Sequence, residues 1–291
     1  MSKNPLRRLA ESALLAGMRP PLTPALFQPR RGVEPAGKRI LVTGASSGIG
    51  EAGAYALARA GAHVIVVARR GELLDAVVAR VAAEGGVATA YACDLSDLDQ
   101  VDALVAKVED RFGGVDVLIN NAGRSIRRPL AESLDRWHDV ERTMQLNYFS
   151  PLRLIRGFGP GMRERRDGHV VNVSTWGVLA ESQPLFAAYN ASKSALTAVS
   201  RVIETEWAVD GVHATTLFYP LVKTPMIAPT RAYDGIPGLS AEEAAEWMTT
   251  AVRRRPVRIA PRIAVTAQVL NGVAPAAVDA AVKRQRIQPS R

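Results

Sequence analysis

Residues 39–50 read RILVTGASSGIG, and the reading of this stretch decides the fold. Arg39–Thr43 is a short apolar run suited to a buried strand, and Ile49–Ala60 has the length and composition of a helix. Between them, Gly44, Gly48 and Gly50 let the backbone turn tightly and approach a ligand closely. A turn from a strand into a helix also aims unpaired N–H groups and the positive end of the helix dipole at whatever lies above it. A glycine-rich triplet alone is a weak signal. In a strand–turn–helix setting it reads as a cradle for a pyrophosphate.

Outward from this turn the same alternation continues. Strand-like apolar runs recur at His63–Ala68, Val87–Ala92, Val115–Ile119, His169–Ser174, Val212–Phe218 and Val257–Ala260. Helical lengths separate them at Glu72–Glu84, Asp97–Phe112, Leu134–Arg165, Ala187–Val209 and Ala241–Arg253. Such regular alternation predicts an α/β fold: a single-domain, Rossmann-type, doubly wound parallel sheet of about seven strands with helices on both faces. Near-continuous apolar strands fit a sheet covered on both sides. This domain is placed at 38–262. Residues 1–37, with their prolines, arginines and a short amphipathic stretch at Leu6–Met18, read as a basic extension outside it, and 263–291 as a basic helical extension.

Composition narrows the function. Apolar content of 47% and charged content of 22% are ordinary for a globular protein. The net charge of +9 is uneven: residues 1–40 carry eight Lys/Arg against two Asp/Glu and residues 253–291 nine against one, leaving the middle net negative. A nucleic-acid binder is not expected from that distribution. Basic ends suit either solubility or loose contact with an anionic membrane. The four histidines lack the spacing of metal ligands, so no metal is expected. One cysteine, Cys93, excludes an internal disulfide. No run approaches the ~18 apolar residues of a spanning helix, and Ala13–Gly17 is shorter than the roughly 7 residues of a signal-peptide core. A cytoplasmic protein is expected, peripheral at most to the inner face of the membrane.

Two further patterns carry chemistry. After the second strand stand Ala68, Arg69 and Arg70, where an acidic residue would favour a free ribose 2′-hydroxyl. Arginine there suits a 2′-phosphate, so the expected cofactor is NADP(H). In YNASK, Tyr189 and Lys193 lie four apart and share one helix face. A neighbouring ammonium would stabilise a phenolate and bring its pKa down from about 10. The pair would then move a proton to or from a carbonyl oxygen.

TGASSGIG and YNASK, together with CDL (Cys93–Leu95), NNAG (Asn120–Gly123), Asn147 in QLNYFSP and VVNVST (Val170–Thr175), resemble the short-chain dehydrogenase/reductase family over roughly 38–260. The resemblance implies that Gly44, Ser46, Ser47, Gly48, Ile49 and Gly50 hold the cofactor with Arg69 and Arg70. It also implies that Asp94 and Leu95 flank the adenine, that Asn121, Ala122 and Gly123 lie under the cofactor, and that Pro220, Val222 and Thr224 border the nicotinamide. Asn147 would anchor a water relay to Lys193, which would bind the nicotinamide ribose. The family pairs subunits, so a homodimer or homotetramer is implied. Two departures stand out. Strand register places the catalytic hydroxyl on Thr175, whereas counting back from Gly177 selects Ser174. Tyr219-Pro220-Leu221 replaces the usual Pro-Gly.

Other stretches resemble the bacterial, aldehyde-forming fatty acyl-CoA reductases: NNAGRSIRR (Asn120–Arg128), DVERTMQLNYFSPLRL (Asp139–Leu154), PLVKTPMIAPT (Pro220–Thr230) and RRPVRIA (Arg254–Ala260). That resemblance implies NADPH reduction of a long-chain acyl thioester. Arg124, Arg127 and Arg128 would meet coenzyme A phosphates or form a solvated loop. Pro220–Tyr233 would cover an apolar chain, with Trp176 and Phe186 lining the pocket or belonging to the core. The rivals are a reductase of a 3-oxoacyl lipid or ester and a catalytically silent lipid-binding member of the fold.

Overall fold

The computed structural model describes residues 12–13, 15–20, 32–228 and 230–284. The remainder of the Leu6–Met18 stretch, Pro229 and residues 285–291 lie outside them. Seven strands are found among the described residues: β1 (Arg39–Thr43), β2 (His63–Ala68), β3 (Val87–Ala92), β4 (Val117–Asn120), β5 (Gly168–Thr175), β6 (Val212–Tyr219) and β7 (Arg258–Ile259). From Gly48 onward the helices among the described residues are α1 (Gly48–Arg59), α2 (Gly71–Ala83), α3 (Leu98–Phe112), α4 (Trp137–Met144), α5 (Ser150–Glu164), α6 (Gly177–Ala180), α7 (Ala187–Glu206), α8 (Ala241–Arg254), α9 (Arg262–Val273) and α10 (Pro275–Arg284).

All neighbouring strands pair in parallel, in the order β3-β2-β1-β4-β5-β6-β7. Alternate side chains feed two separate cores. Ile40, Val42, Val64 and Val66 pack with Leu57 of α1, Leu74 of α2 and Met248 of α8. Leu41, Ile65 and Val67 pack with Leu104 of α3, Phe158 of α5 and Leu196 of α7. The apolar runs read from the sequence are therefore continuous because each face of the sheet has its own helical layer. Edge strand β3 is the exception: most of it is half-exposed, and Val87 is open to solvent.

The chain winds outward from β1 to β3, returns to β4, and then winds outward the other way. That reversal leaves a crevice beyond the carboxyl ends of β1 and β4, where α/β sheets bind ligands.

The single helix expected at Leu134–Arg165 is instead broken. A 3-10 turn at Leu130–Ser133 precedes α4, and a π turn, Gln145–Phe149, joins α4 to α5. Pro151 has no amide hydrogen, so the α-helical bond to the Asn147 carbonyl cannot form. The Ser150 N–H reaches back to Gln145 instead. A local proline thus sets Asn147 on a widened turn, a position where π bulges accompany functional sites.

Candidate active site

The glycine turn is shaped by close approach. Gly44 and Gly48 have φ of +67° and +59°, a region that L side chains rarely enter. A Cβ on Gly44 would stand 2.9 Å from the Ala122 Cα. On Gly50 it would stand 2.4 Å from the Gly44 carbonyl oxygen and 2.5 Å from the Asn121 amide nitrogen. Gly50 therefore acts by letting α1 pack against the turn, beneath the surface of the cavity. Thr43 ties this turn to the end of β4: its hydroxyl accepts the N–H groups of Asn121 and Ala122, each at 3.0 Å, and its carbonyl accepts the Asn121 side-chain amide at 2.8 Å. Ser47 caps α1 without any side-chain hydrogen bond, so the first amides of α1 remain for an anion.

A cavity of about 770 Å³ opens above this turn. One end is lined by Gly44, Ser46, Ser47, Gly48, Ile49, Arg69, Arg70, Asp94, Leu95 and Asn121–Gly123. Arg69 and Arg70 are exposed at its rim, and no protein carboxylate engages either one among the described residues. Asp94 is held in a tight turn by the Ser96 N–H at 2.9 Å. Cys93 is buried, and burial with nearby carboxylates pushes its thiol up to about 11, which leaves it inert. A dinucleotide fits this donor set: glycines where any Cβ would fill the cradle, amides for the pyrophosphate, and two guanidiniums at the ribose end. Among the described residues no group of three His, Cys, Asp or Glu gathers to hold a metal.

The other end of the cavity holds the predicted proton-handling residues. Tyr189 and Lys193 both line it, one turn apart on α7. Lys193 is buried, and its ammonium donates to the Val173 carbonyl at 2.8 Å. It stands 3.2 Å from where a Cβ on Gly123 would sit, a tighter approach than an ordinary contact. Asn147 is fully buried. Its side chain accepts the Arg124 N–H and donates to the Arg124 carbonyl, both at 2.9 Å, and donates to the Ser192 hydroxyl at 3.0 Å. Ser192 in turn donates to the Tyr189 carbonyl at 2.7 Å. One continuous network thus positions the first turn of α7 against the π turn.

The electrostatics correct the expectation of an acidified phenol. Burial, with the nearby Tyr233 phenol, pushes Tyr189 up to about 12, and burial brings Lys193 down to about 8. Burial disfavours the charged phenolate, and the Lys193 ammonium, bonded to the Val173 carbonyl, does not offset it. Tyr189 is therefore a protonated donor at neutral pH.

Ser174 and Thr175 both line the cavity. The Ser174 hydroxyl pairs with Thr197 of α7 at 3.3 Å. Thr175 accepts the Gly177 N–H at 3.3 Å, which leaves its hydroxyl hydrogen for another acceptor. Pro220, Val222 and Thr224 also line the cavity, in a segment pinned at its base by the Lys223 N–H to Leu239 carbonyl bond at 2.8 Å. The Tyr219 departure has a structural reason: its hydroxyl donates to the Ala244 carbonyl at 2.6 Å and its ring stacks on Trp247, fixing β6 to α8. Trp176 and Phe186 line the cavity as expected.

The arginines after NNAG separate. Arg124 lines the cavity, and Arg127 lies near the Tyr233 phenol. Arg128 is spent on buried Asp139, which Arg136 and Arg142 also bind, holding that carboxyl far below its usual range despite burial. Several cavity residues escaped the sequence reading in this role, among them Met18, Gln183, Ile236 and Ile263. The amphipathic pattern of Leu6–Met18 was the only signal for Met18, and nothing local marks Ile263.

Comparison with known proteins shows the family to which this chain is similar. A family model described as short chain dehydrogenase matches residues 38–234. A fatty acyl-CoA reductase of Mycobacterium tuberculosis is 63% identical over 291 residues, covering 99% of each chain. A fatty acyl-CoA reductase of Acinetobacter baylyi is 48% identical, covering 82% of this chain and 81% of that one. Among solved structures, a metagenomic short-chain oxidoreductase in complex with NADP superposes with a TM-score of 0.64 at 30% identity, covering 75% of this chain and 91% of the other.

Proposed function

The chain belongs to the short-chain dehydrogenase family, and on that premise we propose that it reduces a long-chain fatty acyl-CoA thioester to the aldehyde with NADPH. The observation that carries this reading is one continuous cavity running from Arg69 and Arg70, past Tyr189 and Lys193, to a wall of apolar side chains. The names of two relatives, one matched over nearly its whole length, point the same way.

Ser46, Ser47 and the first amides of α1 would hold the pyrophosphate, Arg69 and Arg70 the 2′-phosphate, Asp94 and Leu95 the adenine, and Lys193 the nicotinamide ribose, beside Thr224. When bound, the dinucleotide supplies hydride to the thioester carbon. The Thr175 hydroxyl donates a hydrogen bond to the carbonyl oxygen, with Ser174 beside it as the alternative donor. Tyr189 gives its proton to the developing oxyanion, forming a hemithioacetal. On collapse the carbon–sulfur bond breaks, Tyr189 recovers the hydroxyl proton, and the thiolate takes one from solvent. The net reaction consumes one hydride and one proton, and releases aldehyde and free thiol. Asn147 acts by holding α7 through Ser192, and its amide oxygen lies with the Lys193 ammonium beside Gly123.

Purified protein supplied with palmitoyl-CoA and NADPH should release one thiol for each NADPH oxidised, with aldehyde trapped as its hydrazone. NADPH oxidation on 3-oxoacyl esters without thiol release would replace this reading with ketone reduction. Dinucleotide binding with no turnover on either class would indicate a silent lipid-binding protein. Two narrower proposals accompany it. The exposed Phe149 and Val202 suit a homodimer or homotetramer, read by light scattering. The basic ends suit loose binding to an anionic bilayer, which failure to co-sediment with anionic liposomes at low salt would refute. No helix among the described residues is long and apolar enough to cross a membrane.

A further inference from the structure

The family model ends at residue 234 and begins at residue 38, yet the cavity wall includes side chains from beyond both limits. Met18 is buried, 7% exposed, although it belongs to a segment read as an appendage. Its neighbour Arg19 offers its carbonyl to the Arg262 N–H at 3.1 Å, at the first residue of α9. One residue earlier, a Cβ on Gly17 would rest 3.7 Å from the Ile263 Cβ, an ordinary contact distance. The segment that carries Met18 is thus packed onto the start of α9.

Helix α9 is itself held against α6 and β6. Ala264, fully buried, packs with Leu179 of α6 and Phe218 of β6, and Trp176 lies against the same cluster. Asn271 donates to the Ala180 carbonyl at 2.6 Å. Trp176 follows Thr175 directly, so α9 and Met18 meet the cavity on the side of the proposed reacting carbon. Met18, Trp176, Ile236 and Ile263 all line the cavity, and none of these side chains carries a charge.

We infer that Met18 and Ile263 form the wall of a subsite for the linear acyl chain of the substrate, and that these two residues set the chain length the enzyme accepts. The inference rests on the acyl-thioester reading and adds the place where the chain lies. An apolar chain gains by leaving water in proportion to the area covered, about fourfold in affinity for each methylene, which is about 0.8 kcal/mol. Met18 is suited to such a wall, since its flexible thioether adapts to an extended chain. Filling the wall should exclude distal methylenes and spare short chains.

The test uses the full-length protein with octanoyl-, lauroyl-, palmitoyl- and stearoyl-CoA. Ile263→Trp and Met18→Trp should lower kcat/KM on palmitoyl- and stearoyl-CoA by about tenfold or more relative to octanoyl-CoA. NADPH affinity and thermal midpoint should stay near those of the parent, which shows that the variants fold. Met18→Ala, which opens the wall, should shift the optimum toward longer chains. An unchanged length profile in all three variants, or an equal loss on every length, would overturn the inference. Binding of a dansylated fatty acid keeps it testable apart from turnover. If the parent reduces no acyl-CoA, the proposed reaction fails. The subsite then stands if Ile263→Trp abolishes probe binding and falls if the variant binds as the parent does.

Discussion

A methyl group on Gly50 would meet the Gly44 carbonyl oxygen at 2.4 Å, whereas one on Gly235, next to the cavity residue Ile236, would meet nothing within 4 Å and is disfavoured only by its φ of +72°. The two ends of one cavity are built under different constraints. At the dinucleotide end, strand, turn and helix press together so closely that hydrogen in place of a side chain is the only solution at Gly44 and Gly50. Thr43 adds hydrogen bonds that lock the turn to β4. At the other end, the wall is made of loosely related apolar side chains from Met18 to Ile263, each replaceable by another of similar size. A ligand with fixed shape and charge is met by backbone. A ligand defined only by length and apolarity is met by side chains.

The sharpest way to break this contrast is at the point where the ends meet. Tyr189→Phe should lower kcat for reduction by roughly 10²–10⁴-fold, since the general acid is removed. NADPH binding, measured by fluorescence titration, should change little. An equal loss of cofactor affinity would mean that the phenol belongs to the dinucleotide end after all.

A smaller effect is expected at the rim. Arg69→Ala should raise the KM for NADPH by about tenfold or more, the worth of a charge-assisted hydrogen bond, and leave that for NADH nearly unchanged. An unaltered preference for NADPH over NADH would remove Arg69 from the site.

The smallest effect is a slope with pH. Lys193, brought down to about 8, keeps its charge below that pH and loses it above, while Tyr189, at about 12, keeps its proton throughout. Reduction at saturating NADPH should therefore fall as pH rises through about 8, by at most about tenfold for each further unit as a single cation is lost. A rate that rises over that interval would assign the titration to an ionising phenol and restore the acidified-tyrosine picture.

Much of the dinucleotide end was legible in the chain. Its signals are local: TGASSGIG between a strand and a helix, Arg69 after β2, NNAG after β4. Tyr189 and Lys193 were legible for the same reason, being one helical turn apart. The register of β5 brought both Ser174 and Thr175 to the cavity, and their partners, Thr197 and Gly177, distinguish them only in three dimensions. The break in the helix at Asn147 has one local mark, the missing donor of Pro151, which the helical length of the surrounding stretch outweighs.

The sequence by itself determined the sheet, its two helical layers and the residues of the cofactor turn, because those follow from period, chirality and steric room within short spans of chain. Only the tertiary structure decided the rest: that burial keeps the Tyr189 phenol protonated, that Asp139 claims Arg128, and that Met18 and Ile263 share a wall. Burial, and a contact such as that between Arg128 and Asp139 or the shared wall of Met18 and Ile263, depend on how the elements pack together, and no local pattern encodes them.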